Sequence, residues 1–154
     1  MRAIFTEQYA AGTNAPQGTA SSANVRVFNT TVVNQIPGCT LDATTGYITV
    51  DVGEYEVEAS SGLYGYFASQ LSLATVSGSS FSADGIAFLD SAGQGSQLDQ
   101  FATVTGWLRA DVPTVFKASH FAGTANPSVT PSLGNDSGSG RPNVAAIVKI
   151  TKKP

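Results

Sequence analysis

The chain has 154 residues, of which 42% are hydrophobic and 9% aromatic, enough to fill the core of one domain. Only 12% are charged, the net charge is −3, and no run approaches the roughly 18 apolar residues that cross a bilayer, so neither nucleic acid nor a membrane is expected as a partner. The single cysteine, Cys39, cannot form an intrachain disulfide and is expected to be a small buried side chain. The abundance of Gly, Ser and Thr favours many short strands over a helical bundle.

The N-terminal part combines one clear strand with irregular sequence. Its apolar beginning predicts a first strand over Arg2–Tyr9. Residues 10–24 are small and polar without periodicity, which is typical of a long surface loop or of an arm that becomes ordered on a partner. A strand is predicted again at 25–29, and Pro37-Gly38 is a turn signal.

The clearest pattern lies at 46–60, where apolar and polar residues alternate with period two. Such alternation predicts half-buried strands with one face in the core and one in solvent, and Gly53 marks a bend between two of them. The predicted inward set is Ile48, Val50, Val52, Tyr55, Val57 and Ala59, and the predicted outward set includes Glu54, Glu56 and Glu58.

Five further strands are predicted along the rest of the chain. They cover 66–75, 85–89, 100–110, 114–121 and 143–151, separated by Gly- and Ser-rich turns and by long loops at 90–97 and 124–142. No stretch of useful length shows the 3.6-residue helical period. About eight short strands in a single small domain predict an antiparallel sandwich or jelly roll.

The residue types needed for catalysis are sparse. The one histidine, His120, follows Ser119 directly, and neighbouring strand residues point to opposite faces, so the two do not form a dyad. The three glutamates could hold calcium or act as a carboxylate pair, but evenly spaced residues on one strand do not converge, which favours a solvated outer face. Calcium binding by loop aspartates stays an alternative to a role in turn geometry. We therefore expect no enzyme activity, no cofactor and no metal.

The order and spacing of several short motifs resemble one particular kind of domain. The motifs are Phe5, Glu7-Gln8, Gly12-Thr13, Arg26, Phe28-Asn29, Gly46-Tyr47-Ile48, Val52-Gly53-Glu54-Tyr55-Glu56-Val57 and Ile147-Val148-Lys149-Ile150. Together they resemble the jelly-roll head of complement-type globular heads and of the tumour-necrosis-factor superfamily, in the version found on bacteriophage tail fibres and other phage surface proteins. The resemblance covers nearly the whole chain, although each motif is short.

The resemblance implies an all-β antiparallel jelly roll of about ten strands that assembles as a compact homotrimer around a threefold axis. Aromatic residues of one sheet typically meet at such an axis. The side chains that we expect there are Tyr55, Tyr64, Tyr66, Phe101, Trp107 and Phe116.

From these features we expect a non-enzymatic structural protein of a phage virion, assembled in the bacterial cytoplasm and displayed on the particle surface as a capsid decoration or cement protein. Residues 1–24 would be a strand and extended arm, and 25–154 the head. Since the chain carries no shaft, the arm is expected to contact the major capsid protein or another virion protein. The expected contact residues are Arg2, Phe5, Tyr9 and Asn14.

An alternative function is the receptor-binding head of a tail fibre or head fibre, which would recognise a host surface glycan or protein through the loops at 90–97 and 124–142. A third and more distant interpretation is a lyase or glycosidase domain on the same fold, which no cluster of residues supports. Decoration is preferred because the chain is short and its N-terminal segment is suited to lying on another surface.

Overall fold

The computed structural model describes residues 1–85, 88–89, 99–125, 127, 130–134 and 138–154, with the backbone alone described at 88–89 and 99–100. Within these ranges the chain forms twelve β-strands and no helix. None of these residues belongs to a helix that is long and apolar enough to cross a membrane.

The strands range in length from two residues to twelve. In chain order they are β1 Arg2–Tyr9, β2 Ser22–Val25, β3 Thr30–Asn34, β4 Thr40–Asp42, β5 Tyr47–Val50, β6 Gly53–Tyr64, β7 Ala68–Ser77, β8 Ser82–Asp84, β9 Phe88–Leu89, β10 Asp99–Ala110, β11 Thr114–Ala122 and β12 Asn143–Lys152.

Two antiparallel sheets pack against each other. One has five strands in the order β10-β6-β12-β1-β3. The other contains β4-β5-β11-β7-β8 in that order, with β2 also paired to β11 and β9 to β7. The all-β antiparallel sandwich predicted from the sequence is therefore confirmed.

The long strands were predicted well and the short ones were not. The alternating segment forms β5 and β6, and the segments at 100–110, 114–121 and 143–151 form β10, β11 and β12 with small changes at their ends. β3, β4 and β8 were missed because their residues are exposed or only partly buried, so no alternation marks them. The predicted strand at 25–29 is wrong beyond Val25, where β2 ends. The loop predicted at 90–97 lies outside the described residues.

The main core lies between the sheets and is built from inward positions of both. Phe5 of β1, Tyr55 of β6, Leu71 of β7 and Phe116 of β11 are fully buried there. Burial of each such side chain stabilises the fold by roughly 1.5–3 kcal/mol. Cys39 is buried in the same core, as expected, and burial raises the pKa of its thiol to about 11.

The N-terminal segment does not extend away from the domain as an arm. β1 lies inside the five-stranded sheet between β12 and β3 and contributes Phe5 to the core. Residues 10–25, here called the strap, fold back over one end of the sandwich: the Ala15 amide donates to the Gly134 carbonyl at 2.9 Å, and the Ser21 amide to the Gly123 carbonyl at 3.2 Å. The strand predicted over Arg2–Tyr9 is thus found as β1, and residues 10–24, expected as an extended arm or a surface loop, lie against the domain.

Beneath the strap lies a second, smaller apolar cluster. Its members are Ala15, Leu63, Tyr66, Ala122, Leu133 and Ala145. The Tyr66 hydroxyl donates to the Gly18 carbonyl of the strap at 2.6 Å. The strap is therefore the cover of this cluster, although Ala15 and Gly18 are its only buried residues.

Candidate functional site

The six aromatic residues expected at a trimer axis fall into two groups. Tyr55 and Phe116 are 0% exposed, and Tyr66 is also buried. They point into the sandwich, so their side chains have no free surface for a second chain, and their assignment to an interface is corrected. Tyr55 and Phe116 follow the inward half of the strand alternation, whose role is to fill the core, and Tyr66, between β6 and β7, packs in the second cluster.

Phe101 and Trp107, by contrast, lie on the surface. They are 64% and 63% exposed and share the outward side of β10, where alternate residues are exposed and the intervening ones are buried. Tyr64, at the end of β6 opposite Asp99, is partly buried. The two residues lie six positions apart on the strand, roughly 20 Å, so they are two separate exposed aromatic sites on one face.

The four residues expected to attach the chain to a particle are also divided. Arg2 and Asn14 are exposed, and Tyr9 is partly buried with its hydroxyl donating to the Glu7 carboxylate. Phe5 is 0% exposed in the main core, which excludes it as a contact residue in the folded chain.

The outward side of the five-stranded sheet, here called the outer face, carries both signs of charge. Glu54 and Glu58 of β6 are exposed there, as the alternation predicts, and Glu56 is partly exposed. The Glu56 carboxylate lies 2.7 Å from the Lys153 ammonium, and the Glu58 carboxylate 3.9 Å from the Lys149 ammonium. Because these contacts are partly or largely in solvent, each adds little to stability.

Trp107 stands at the centre of this charged arrangement. It is the cross-strand neighbour of Glu56, and the Lys153 ammonium lies 4.6 Å from the centroid of its ring. A shallow pocket beside the ring is lined by Glu54, Leu108 and Arg109. The indole is thus held in place by a cation–π contact while most of its surface faces solvent.

A second feature, a layer of polar side chains inside the sandwich, was not predicted. Its members, here called the polar layer, are Glu7, Arg26, Ser61, Ser69 and His120, all buried. They occupy inward positions between the main core and the second cluster: on β6, for example, Ser61 lies between inward Ala59 and inward Leu63. The layer therefore divides the interior into two apolar parts.

His120 is held from both sides by serine hydroxyls. Its Nδ1 lies 2.8 Å from Ser61 Oγ on β6, and its Nε2 lies 2.7 Å from Ser69 Oγ on β7. A neutral imidazole can donate to one hydroxyl and accept from the other, so both ring nitrogens are satisfied. The partner is not Ser119, whose side chain lies on the other face, as expected for adjacent strand residues.

Glu7 and Arg26 form a buried ion pair beside His120. Arg26 Nε lies 2.8 Å from Glu7 Oε2, and the two side chains are 0% and 2% exposed. The two terminal amino groups of Arg26 have no hydrogen-bond acceptor among the described residues. Burial raises the pKa of the Glu7 carboxyl and lowers that of the Arg26 guanidinium, since it disfavours both charged forms.

Burial and, to a smaller extent, the positive charge of Arg26 together lower the pKa of His120 to about 3. At neutral pH the layer thus contains one cation, one anion and a neutral imidazole. With every member buried, the Ser–His contacts face the interior rather than solvent, and their evident role is to satisfy one another and to position the strands.

The polar layer could have been found by continuing the alternation. The inward series Tyr55, Val57, Ala59 leads next to Ser61, and Phe116, Ala118 leads to His120. The pairing of Glu7 with Arg26 has no such signal, because it joins residues far apart in sequence across a loop.

Two comparisons bear on what the chain resembles. No protein-family model matches the chain, and no curated protein matches it significantly.

Among the described residues, no group of three or more His, Cys, Asp and Glu side chains is arranged to hold a metal ion.

Proposed function

We propose that the chain is a non-enzymatic structural protein of a phage virion, a jelly-roll knob that forms a homotrimer through the outer face and decorates the capsid. The observation that carries the proposal is the exposure of Phe101 and Trp107 on the outward side of β10. The phage origin and the threefold symmetry come from the resemblance of the motif order.

The strand pairing supports a jelly roll within the sandwich. In that topology the two halves of the chain pair in nested order, first with last and then inward. In this chain β1 pairs with β12, β5 with β11, β6 with β10, and β7 with β8. This nested order is what the resemblance implies.

The outer face combines exposed aromatic area with charged groups of which several are already paired within the chain, Glu56 with Lys153 and Glu58 with Lys149. Aromatic side chains such as Phe101 and Trp107 bury roughly 150–250 Å² each when fully covered, which favours association by several kcal/mol for the pair. Trp107 adjoins Glu56 and Lys153, and between the two aromatic residues β10 carries the small hydroxyl side chains of Thr103 and Thr105. Such side chains have little rotational freedom to lose at an interface.

The charge pattern of the outer face favours a second copy of this chain as the occupant. Glu54, Glu56 and Glu58 lie close to Arg109, Lys149 and Lys153. Because charges of both signs are interspersed on this face, a second copy can offer opposite charges to them, whereas a strongly acidic or basic partner meets like charges as well.

Substitution of the exposed aromatic residues tests the assembly. We expect Phe101→Ser and Trp107→Ser to shift the chain from trimer to monomer. The fold should stay unchanged, because both side chains are mostly exposed on the surface and are not part of the core. Phe121→Ser on β11 is the matched control, since that aromatic side chain is 39% exposed on the other sheet. Light scattering after size-exclusion chromatography gives the mass, and circular dichroism the fold. A trimer that tolerates both outer-face variants, or a wild-type monomer, would contradict the proposal.

A further inference from the structure

The strap is a loop whose two ends are joined inside the protein. Glu7 lies three residues before the strap and Arg26 directly follows it, and their side chains meet at 2.8 Å. The last strand of the strap, β2, pairs with β11, where Asn24 lies opposite His120. The polar layer is therefore also the base of the strap.

The strap itself is weakly held compared with the rest of the fold. Among its residues only Ala15 and Gly18 are buried, so little apolar area keeps it in place. Its anchors include backbone contacts to Gly123, Leu133 and Gly134, the hydroxyl of Tyr66, the short β2, and side-chain amides that join Asn143 to the Thr13 carbonyl and Asn24 to the His120 carbonyl. Segments with few buried contacts open locally at lower free energy than the core.

We propose that His120 is a proton-operated latch for the strap: when the imidazole takes up a proton, residues 10–25 open and expose the second apolar cluster. The groups that face His120 are Ser61 from β6, Ser69 from β7 and Arg26 from the strap's end, and Glu7 and Tyr9 of β1 face Arg26. A protonated His120 gives the layer two cations and one anion. In the interior, such an excess charge is costly unless water reaches it, which opening of the strap and β2 permits.

The sign of the pH effect follows from the two titrating groups. The folded pKa of His120 is lowered to about 3 from its ordinary 6.5, so its contribution to closure is present above pH 6.5 and is lost as pH falls between these values. The pKa of Glu7 is raised above 4.5, so protonation of Glu7 favours closure as pH falls towards 4.5. Above pH 4.5, protonation of His120 favours opening of the strap while protonation of Glu7 favours closure. Below pH 4.5, only the effect of His120 continues.

Hydrogen exchange on the intact chain, corrected for the intrinsic pH dependence of exchange, tests the latch. The measured quantity is the opening constant of the Ala15 and Ser21 amides in the wild type divided by that in His120→Gln. This ratio should rise as pH falls from 6 to 4, by up to about tenfold per pH unit, which is the limit for one proton. Amides of the core strands β6 and β12 should stay protected. In His120→Gln, where Glu7 alone titrates in the layer, strap protection should stay level or increase as pH falls.

Three outcomes would overturn the proposal: a ratio between wild type and His120→Gln that does not change with pH, strap and core opening together, or a variant that opens in acid like the wild type. If His120→Gln does not fold, an NMR titration of the wild type decides instead, because the chain has one histidine. The ring signals must titrate well below pH 6.5, in step with loss of strap protection. A midpoint near 6.5 with the strap closed would rule the latch out.

Discussion

The Glu7–Arg26 pair shows how one buried contact can be both costly and necessary. Two charges have been taken out of water, and two amino groups of Arg26 lack an acceptor among the described residues, so the net gain from the pair is small. Loss of one partner is different, because it leaves the other charge buried alone. The pair therefore matters more for how the chain closes the strap than for total stability.

This reasoning predicts the outcome of a double-mutant comparison. Glu7→Leu should lower the free energy of unfolding by about 3–5 kcal/mol, since Arg26 then remains as an unpaired buried cation. Adding Arg26→Met should recover most of that loss, because the uncompensated charge is removed while the volume is kept. Urea unfolding at pH 7 measures both. A double variant as unstable as the single one would show that the ion pair itself stabilises the fold strongly.

At the scale of elements, the turn between β4 and β5 depends on one glycine. Gly46 has φ +74°, and a Cβ atom built there would collide with the Arg26 carbonyl oxygen. The turn is also closed by the Gly46 amide, which donates to the Asp42 carbonyl at 2.8 Å. The hairpin is thus packed directly against the backbone that follows the strap.

Alanine at this glycine separates backbone strain from close packing. We expect Gly46→Ala to destabilise the chain by about 2–4 kcal/mol, since it combines left-handed strain with a clash against backbone. Gly12→Ala is the control: Gly12 has φ +78° but open space around its Cβ position, so about 1 kcal/mol of strain is expected there. Thermal or urea unfolding compares them, and equal losses would argue against the packing contribution.

The elements also show which features can be predicted from a single sequence. β6, β10 and β12 were predictable because one side of each strand is buried and the other exposed. β3 is exposed or partly buried along its length, so only its pairing with β1 defines it. Likewise, exposure of Phe101 and burial of Phe116 depend on which side of a sheet each occupies, which no composition reveals.

At the scale of the whole molecule, the low content of charged residues determines the character of the surface. The few charges lie mostly on the outer face or in turns, except for one pair sealed in the polar layer. The surface left over is hydroxyl, amide and a small number of exposed apolar side chains, of which Phe101 and Trp107 are the largest described. In the proposed assembly this surface would face sister subunits and a particle, and with so small a net charge it steers a charged ligand weakly.

The proposed role places the chain on a phage particle, and the number of its copies there is the most direct test of that role. Purified virions separated on a stained gel, with the major capsid protein as the internal standard, give this number. A capsid decoration protein should be present in hundreds of copies, in multiples of three. A few to some tens of copies would indicate a fibre instead, and absence from purified virions would contradict a structural role altogether.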